Sequence, residues 1–305
     1  TTKSTGSTNG TQLTHPAVTY GGVELNGIWV GKFETTPIAG STCATSPSTA
    51  NCVSVSPTIK PNVASLRYQD ISTEFKTSLL FGTDTIYGLT GESRISKNSD
   101  WGAILYLSHS GYGLNGEIRV NNTNAYRTGC GASVEYETTA ACQIIYGGAV
   151  SYPQSTTGNI SGIFDISGNA VEYQMGVYTN ATNDIYSGRC DIYNSGYNGL
   201  YGEPTYTGCN ASLTSKTDGE EYPSEKYYKT YLTTNYQSNL SYLGEALGET
   251  RAWYGDARNI VTLSYVWFER GGYYSHGILA GGFHFSYMAG NSSSARSFRT
   301  IVTTR

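Results

Sequence analysis

Apolar residues in this chain come in short bursts separated by polar stretches. After a Thr-, Ser-, Gly-, Asn- and Gln-rich start, Val18, Tyr20, Val23, Leu25, Ile28, Val30 and Phe33 follow one another, broken by Gly-Gly and Asn-Gly pairs. That pattern predicts short strands joined by tight turns. Residues 1–15 hold too little apolar surface to fold alone and read as an arm. Residues 16–305 read as one domain.

Two helices are expected. Leu66, Phe75, Leu79 and Leu80 fall in one apolar segment, with Ser72 as its N-cap. Trp101, Ile104, Leu105 and Leu107 recur at helical spacing after Asn98-Ser99, and Gly111 and Gly113 end the run. Further helical turns are expected in 220–250, around Tyr227, Tyr231, Leu240, Leu243 and Leu247. Residues 114–165 read as short strands between Gly-rich loops, 179–219 as a long polar insertion, and 261–268 and 283–302 as aromatic-rich strands. No repeat of 20–50 residues occurs, which argues against a solenoid or propeller.

Composition narrows the function classes. Only 14% of residues are charged and the net charge is −4. Few cations and no basic run argue against nucleic acid, whose binding needs phosphate neutralisation. No apolar stretch of about twenty residues is present to span a membrane. The 37 Gly and 27 Tyr, with abundant Ser, Thr and Asn, fit a loop-rich extracellular domain. The chain opens Thr-Thr-Lys without a signal-peptide pattern, as expected of a processed product.

The six cysteines allow fifteen pairings. They fall as Cys43/Cys52, Cys130/Cys142 and Cys190/Cys209, each pair around a short polar loop, so local bridging is the simplest choice. Their even number and loop placement suggest an oxidising compartment. Sequons at Asn9, Asn121, Asn180, Asn210, Asn239 and Asn291 permit glycosylation at a surface location. His15, His109, His276 and His284 show no metal-binding spacing, and no GxSxG nucleophile elbow is present.

The segment Gly162-Ile-Phe-Asp165-Ile-Ser-Gly168-Asn169-Ala-Val-Glu172-Tyr173 resembles the signature of the formylglycine-generating enzyme and sulfatase-modifying-factor family, which has a C-type-lectin-like fold. Glu269-Arg-Gly-Gly-Tyr273 looks like that family's RGGS turn, and Ser297-Phe-Arg-Thr-Ile-Val302 like its closing strand. Ser96–Leu105 is a weaker match to one of its helices. The matches keep the family's order from about residue 90 to the end. The resemblance implies an α+β domain of that type, with short twisted strands, two or three helices and much irregular loop.

The resemblance also bears on chemistry. Copper-dependent members use two cysteines shortly after the Gly-Gly turn. Here Tyr273-Tyr-Ser-His276-Gly-Ile-Leu-Ala-Gly281 contains none, with His276 and Gly281 near those places. One imidazole does not replace a dithiol, so the chain reads as a non-catalytic relative. Asn169 and Glu172 match positions where family members hold calcium, implying a structural calcium site. Lectin-like folds carry their ligand surface in the C-terminal half, which implicates Trp253, Tyr254, Trp267, Tyr273, Tyr274 and His276. Alternation at Phe283, Phe285 and Tyr287 reads instead as core packing.

A second likeness links Gly27–Thr35, Pro61–Arg67, Asn98–Ser108 and Arg270–Ser275 to bacterial surface proteins whose lectin-like domain often follows a pilin-like helix. Together these readings imply a non-enzymatic structural or adhesive subunit of a pilus- or filament-like microbial appendage, at the cell surface or outside the cell. Its partners would be copies of itself and glycans or a surface protein. The alternatives are a monomeric carbohydrate- or protein-binding lectin and a divergent oxidoreductase or hydrolase.

Overall fold

Short apolar bursts give short strands. The structure, a computed structural model, describes residues 14–39, 56–83, 87–89, 91–179, 226–232, 234, 236–237, 242–290 and 292–303. The expected bridges Cys43–Cys52 and Cys190–Cys209, the sequons at Asn9, Asn180, Asn210, Asn239 and Asn291, and the arm through residue 13 lie outside these residues.

Strands β1 (Thr19–Tyr20) and β2 (Val23–Glu24) form a hairpin on Gly21-Gly22, followed by β3 (Trp29–Val30) and β4 (Thr36–Pro37). β5 (Pro57–Thr58) pairs with β4 and leads to helix α1 (Ile71–Thr83), strand β6 (Glu92–Ile95) and helix α2 (Asn98–Ser108). β7 (Cys130–Gly131) and β8 (Ile144–Ile145) pair next, and Cys130 is bonded to Cys142 as expected. The long β9 (Val171–Thr179) precedes β10 (Lys229–Leu232), β11 (Trp267–Arg270), β12 (Phe285–Met288), β13 (Arg296–Phe298) and β14 (Thr300–Thr303). The described residues are thus mixed α and β, with two α-helices, mostly small antiparallel sheets and much loop. No described helix is long and apolar enough to cross a membrane.

The helix caps differ in detail from expectation. α1 starts at Ile71, and Asp70 caps it: its Oδ1 accepts from the Thr73 N–H at 2.8 Å. Asp70, one residue before the helix, is placed to reach the free N–H groups of its first turn, whereas the expected cap position, residue 72, falls inside the helix. In α2, Asp100 reaches back to the Lys97 N–H at 2.7 Å. The helical turns expected around Tyr231 are not formed; Lys229–Leu232 is a strand. It pairs in parallel with Gly176–Thr179, and the sheet supplies the backbone partners that a short isolated helix lacks.

β9 organises the main sheet. β11 runs antiparallel along one edge, while β13 and β10 share the other. Alternation then sorts side chains between two faces. Tyr173, Met175 and Val177 join Phe75 of α1, Trp267 and Phe298 in one core cluster. Tyr231, Phe268 and Phe285 gather with Tyr242, Leu247 and Val261 in another. Gly176 lies under the second, where a β-carbon would come within 2.9 Å of Tyr231 and 3.0 Å of Phe268.

The Gly168-Asn169 turn feeds β9 in the left-handed conformation, at φ +78° and +60°. A β-carbon on Gly168 would lie 2.3 Å from the Asn121 carbonyl oxygen, so only glycine fits. Asn121 itself is buried, and its Nδ2 donates to Asp165 Oδ1 at 2.7 Å. That amide is committed inside the fold, and the expected glycan at Asn121 has no room.

Candidate functional site

The residues of the sequence signature meet in the interior as a structural cluster. Arg299, just after β13, donates to both oxygens of Glu172 and to the main-chain oxygens of Gly31, Phe164 and Asp165. Asp165 accepts from the Gly129 N–H at 2.8 Å, and Glu34 Oε1 from the Ala170 N–H at 3.0 Å. Three carboxylates around one guanidinium cannot all ionise without water. Burial lifts Asp165 to about 6 and Glu172 to about 7, and pushes Glu34 well above the carboxylate range.

This cluster tests the calcium expectation. Glu172 is already occupied by Arg299, so a dication there would face a buried guanidinium. Asn169 is fully buried, with neither side-chain polar atom hydrogen-bonded. The pair does not fit a calcium ion as arranged, and no group of three or more His, Cys, Asp or Glu among the described residues is placed to hold a metal.

The Gly271-Gly272 turn is left-handed, at φ +83° and +70°. Beyond it the side chains pack as rings. Tyr273 lies 3.9 Å from His276, centroid to centroid, and 5.4 Å from Tyr274, which meets Tyr126 at 4.9 Å. His276 stacks on His284 at 5.4 Å, and its Nδ1 accepts from the Tyr273 N–H. Burial lowers both imidazoles, His284 to about 3, so both are neutral at neutral pH. Neutral imidazoles in ring contact pack the segment after the turn.

The remaining candidates separate sharply. Trp267 is 0% exposed and belongs to the core; β11 turns it inward against Phe75 and Val177. Trp253 and Tyr254 are 42% and 46% exposed. They sit on the 3-10 turn Trp253–Gly255, and both rings meet His109 at the end of α2. Gly102 of α2 lets the preceding loop come close: a β-carbon would lie 1.9 Å from the Gly244 oxygen. Arg270 binds the Ala246 oxygen of that loop at 3.0 Å, and Trp101 binds the Gly282 oxygen at 2.7 Å.

These contacts bring four rings together. Phe283, buried, is the hub, with Trp253 at 4.9 Å, His109 at 4.8 Å and Tyr254 at 6.1 Å. His109, the C-cap of α2, also lies 5.6 Å from Tyr254. Asp256 ends the turn, and its Oδ2 accepts from the Phe283 N–H at 2.8 Å. Burial raises Asp256 to about 8, with Glu117 adding repulsion, so its carboxyl is mostly protonated at neutral pH. Tyr136 and the half-buried Glu117 complete the rim, the Tyr136 hydroxyl pointing at Glu117 Oε1 at 3.4 Å. The neighbouring 3-10 turn Gly277–Leu279 adds Ile278 and Leu279, 60% and 50% exposed.

The sequence singles out Trp253 and Tyr254 as ligand candidates but not His109, Phe283, Asp256 or Glu117, which pack around them. His109 reads as a solitary histidine and Phe283 as a strand residue. The available signal was Trp253-Tyr-Gly-Asp256 itself, an aromatic pair followed by Gly and a carboxylate outside any apolar run. The chain matches no protein-family model and no curated protein.

Proposed function

We propose that this chain is a non-enzymatic structural and adhesive subunit of a pilus- or filament-like microbial surface appendage, working outside the cell among copies of itself. The observation that carries this reading is the aromatic surface of Trp253, Tyr254, Ile278 and Leu279, presented by two adjacent turns. A contiguous exposed apolar patch with a polar rim is a contact surface. The ring-packed segment after Gly271-Gly272, which carries no thiol, supports the non-enzymatic part. The Cys130–Cys142 bridge supports an oxidising location.

The test uses material purified from its natural source. Negative-stain microscopy should show the chain in fibres, and a Cys-x-Pro-x-Arg peptide incubated with copper and protein should stay unconverted. A strictly monomeric protein, or conversion of the cysteine to formylglycine, would overturn the reading.

A further inference from the structure

The structure presents two aromatic faces beside hydrogen-bonding groups in a way that specifies a ligand. We propose that the Trp253–Tyr254 shelf binds a neutral pyranose glycan. This deepens the adhesive reading and rests on it.

Conformation is the first support. Ala252 and Tyr254, neither a glycine, hold φ of +66° and +55°. Left-handed non-glycine residues cost on the order of 1 kcal/mol each, and such strain concentrates at binding sites. The result of this strain is that the Trp253 and Tyr254 rings stand at the surface, braced from beneath by Phe283 and His109.

The polar rim is the second support. Burial raises the phenols of Tyr254 and Tyr136, and the nearby Glu117 charge raises both further. Asp256 is buried beneath the rim, with Oδ2 on the Phe283 N–H and Oδ1 against Gly281, so it holds the turn from below. Pyranose rings offer a C–H face to an aromatic plane and hydroxyl donors at its margin. A few polar groups beside apolar walls are what fix such a ligand's orientation.

Two other occupants fit less well. Glu117 and the nearby Glu135 repel each other and would repel uronates or sialic acids. A quaternary ammonium ligand calls for several ring faces that enclose it. Here Trp253 meets Phe283 at 68° while Tyr254 lies at 24° to it, so the two exposed planes are inclined to one another, and among the described residues no third exposed ring packs against them.

The test is calorimetric titration of the full chain with cellohexaose, N-acetylchitohexaose and hexagalacturonate. One of the two neutral hexasaccharides should bind and hexagalacturonate should not. Trp253→Ala and Tyr254→Ala should each weaken binding about tenfold or more, with an unchanged circular dichroism spectrum. Trp29→Ala, an exposed tryptophan on β3, should leave binding intact. If Trp253→Ala misfolds, Trp253→Leu serves, keeping bulk without an aromatic face. Absence of binding by both neutral sugars, equal binding of hexagalacturonate, or binding insensitive to Trp253 and Tyr254 would overturn the proposal. Fibres that form normally but bind neither neutral sugar would overturn this inference alone and leave the assembly reading standing.

Discussion

Arg299 and Glu172 form an ion pair in the interior, with Nε 3.1 Å from Oε2 and both side chains removed from solvent. Removing one partner strands the other charge, which typically costs about 3–5 kcal/mol. Arg299 also satisfies three main-chain oxygens, so its loss leaves more than one group unpaired. Arg299→Met should therefore lower unfolding free energy by at least about 3 kcal/mol, read as a fall in urea midpoint. A midpoint unchanged from the parent chain would refute this.

Stability should peak in mildly acidic solution. His284 is depressed by burial to about 3 from 6.5, so the unfolded chain binds its proton first and this group's own contribution grows with pH up to about 6.5. Glu172 and Asp256 are raised by burial to about 7 and about 8, so the folded chain holds their protons longer. Their contribution is complete below the unfolded carboxylate range and is lost as pH climbs through those values. Denaturation midpoints should consequently fall between pH 6.5 and 8, and Asp256→Asn should flatten that fall. A midpoint that rises over the same interval would contradict the assignment.

Gly102 sets how closely α2 and the Gly244 loop approach. Alanine there would place a β-carbon 1.9 Å from the Gly244 oxygen, and backbone must move to admit it. Such overpacking costs about 1–3 kcal/mol. Gly102→Ala should lower the melting temperature by several degrees and move the Trp253 fluorescence. Gly116, half-buried but with open space where a β-carbon would sit, is the control that should accept alanine without loss.

The Cys130–Cys142 bridge closes a loop of 12 residues between β7 and β8. Replacing both cysteines with serine should cost about 2–4 kcal/mol. Non-reducing peptide mapping should recover this pair, with Cys43–Cys52 and Cys190–Cys209 expected beside it. Crossed pairs would refute the local pattern.

If the subunit assembles through its arm, deleting residues 1–14 should abolish fibres while leaving the domain's melting curve unchanged. Ordering such a polar segment costs about 1–2 kcal/mol per residue, which a neighbour's strand edge can offset through main-chain hydrogen bonds. Fibres that persist after the deletion would defeat this.

What sequence could reveal was mostly local. The Gly168-Asn169 turn, the strand after it, α2 and the Cys130–Cys142 pair depend on neighbours within a few residues, and all are present. The segment around Tyr231 misleads because Tyr227/Tyr231 and Leu243/Leu247 repeat at helical spacing. Its true partner, Gly176–Thr179, is remote in sequence, and pairing with it overrides local preference. The same distance hid the site. Trp253 and Trp267 look alike in the sequence, and only the sheet decides that one is core and the other surface. His109 and Phe283 become neighbours only once α2 and the Gly281–Phe283 turn have docked.

Several arginines here grip main-chain oxygens. Arg299 holds Gly31, Phe164 and Asp165, Arg270 holds Glu245 and Ala246, and Arg119 holds Ala132 and Ser133. A guanidinium that reads carbonyls does not depend on the side chains those residues carry. Selection can therefore rewrite a loop's outward face, exchanging one contact specificity for another, while a few arginines keep its path. Diversity at the surface and constancy of the frame are then separately heritable.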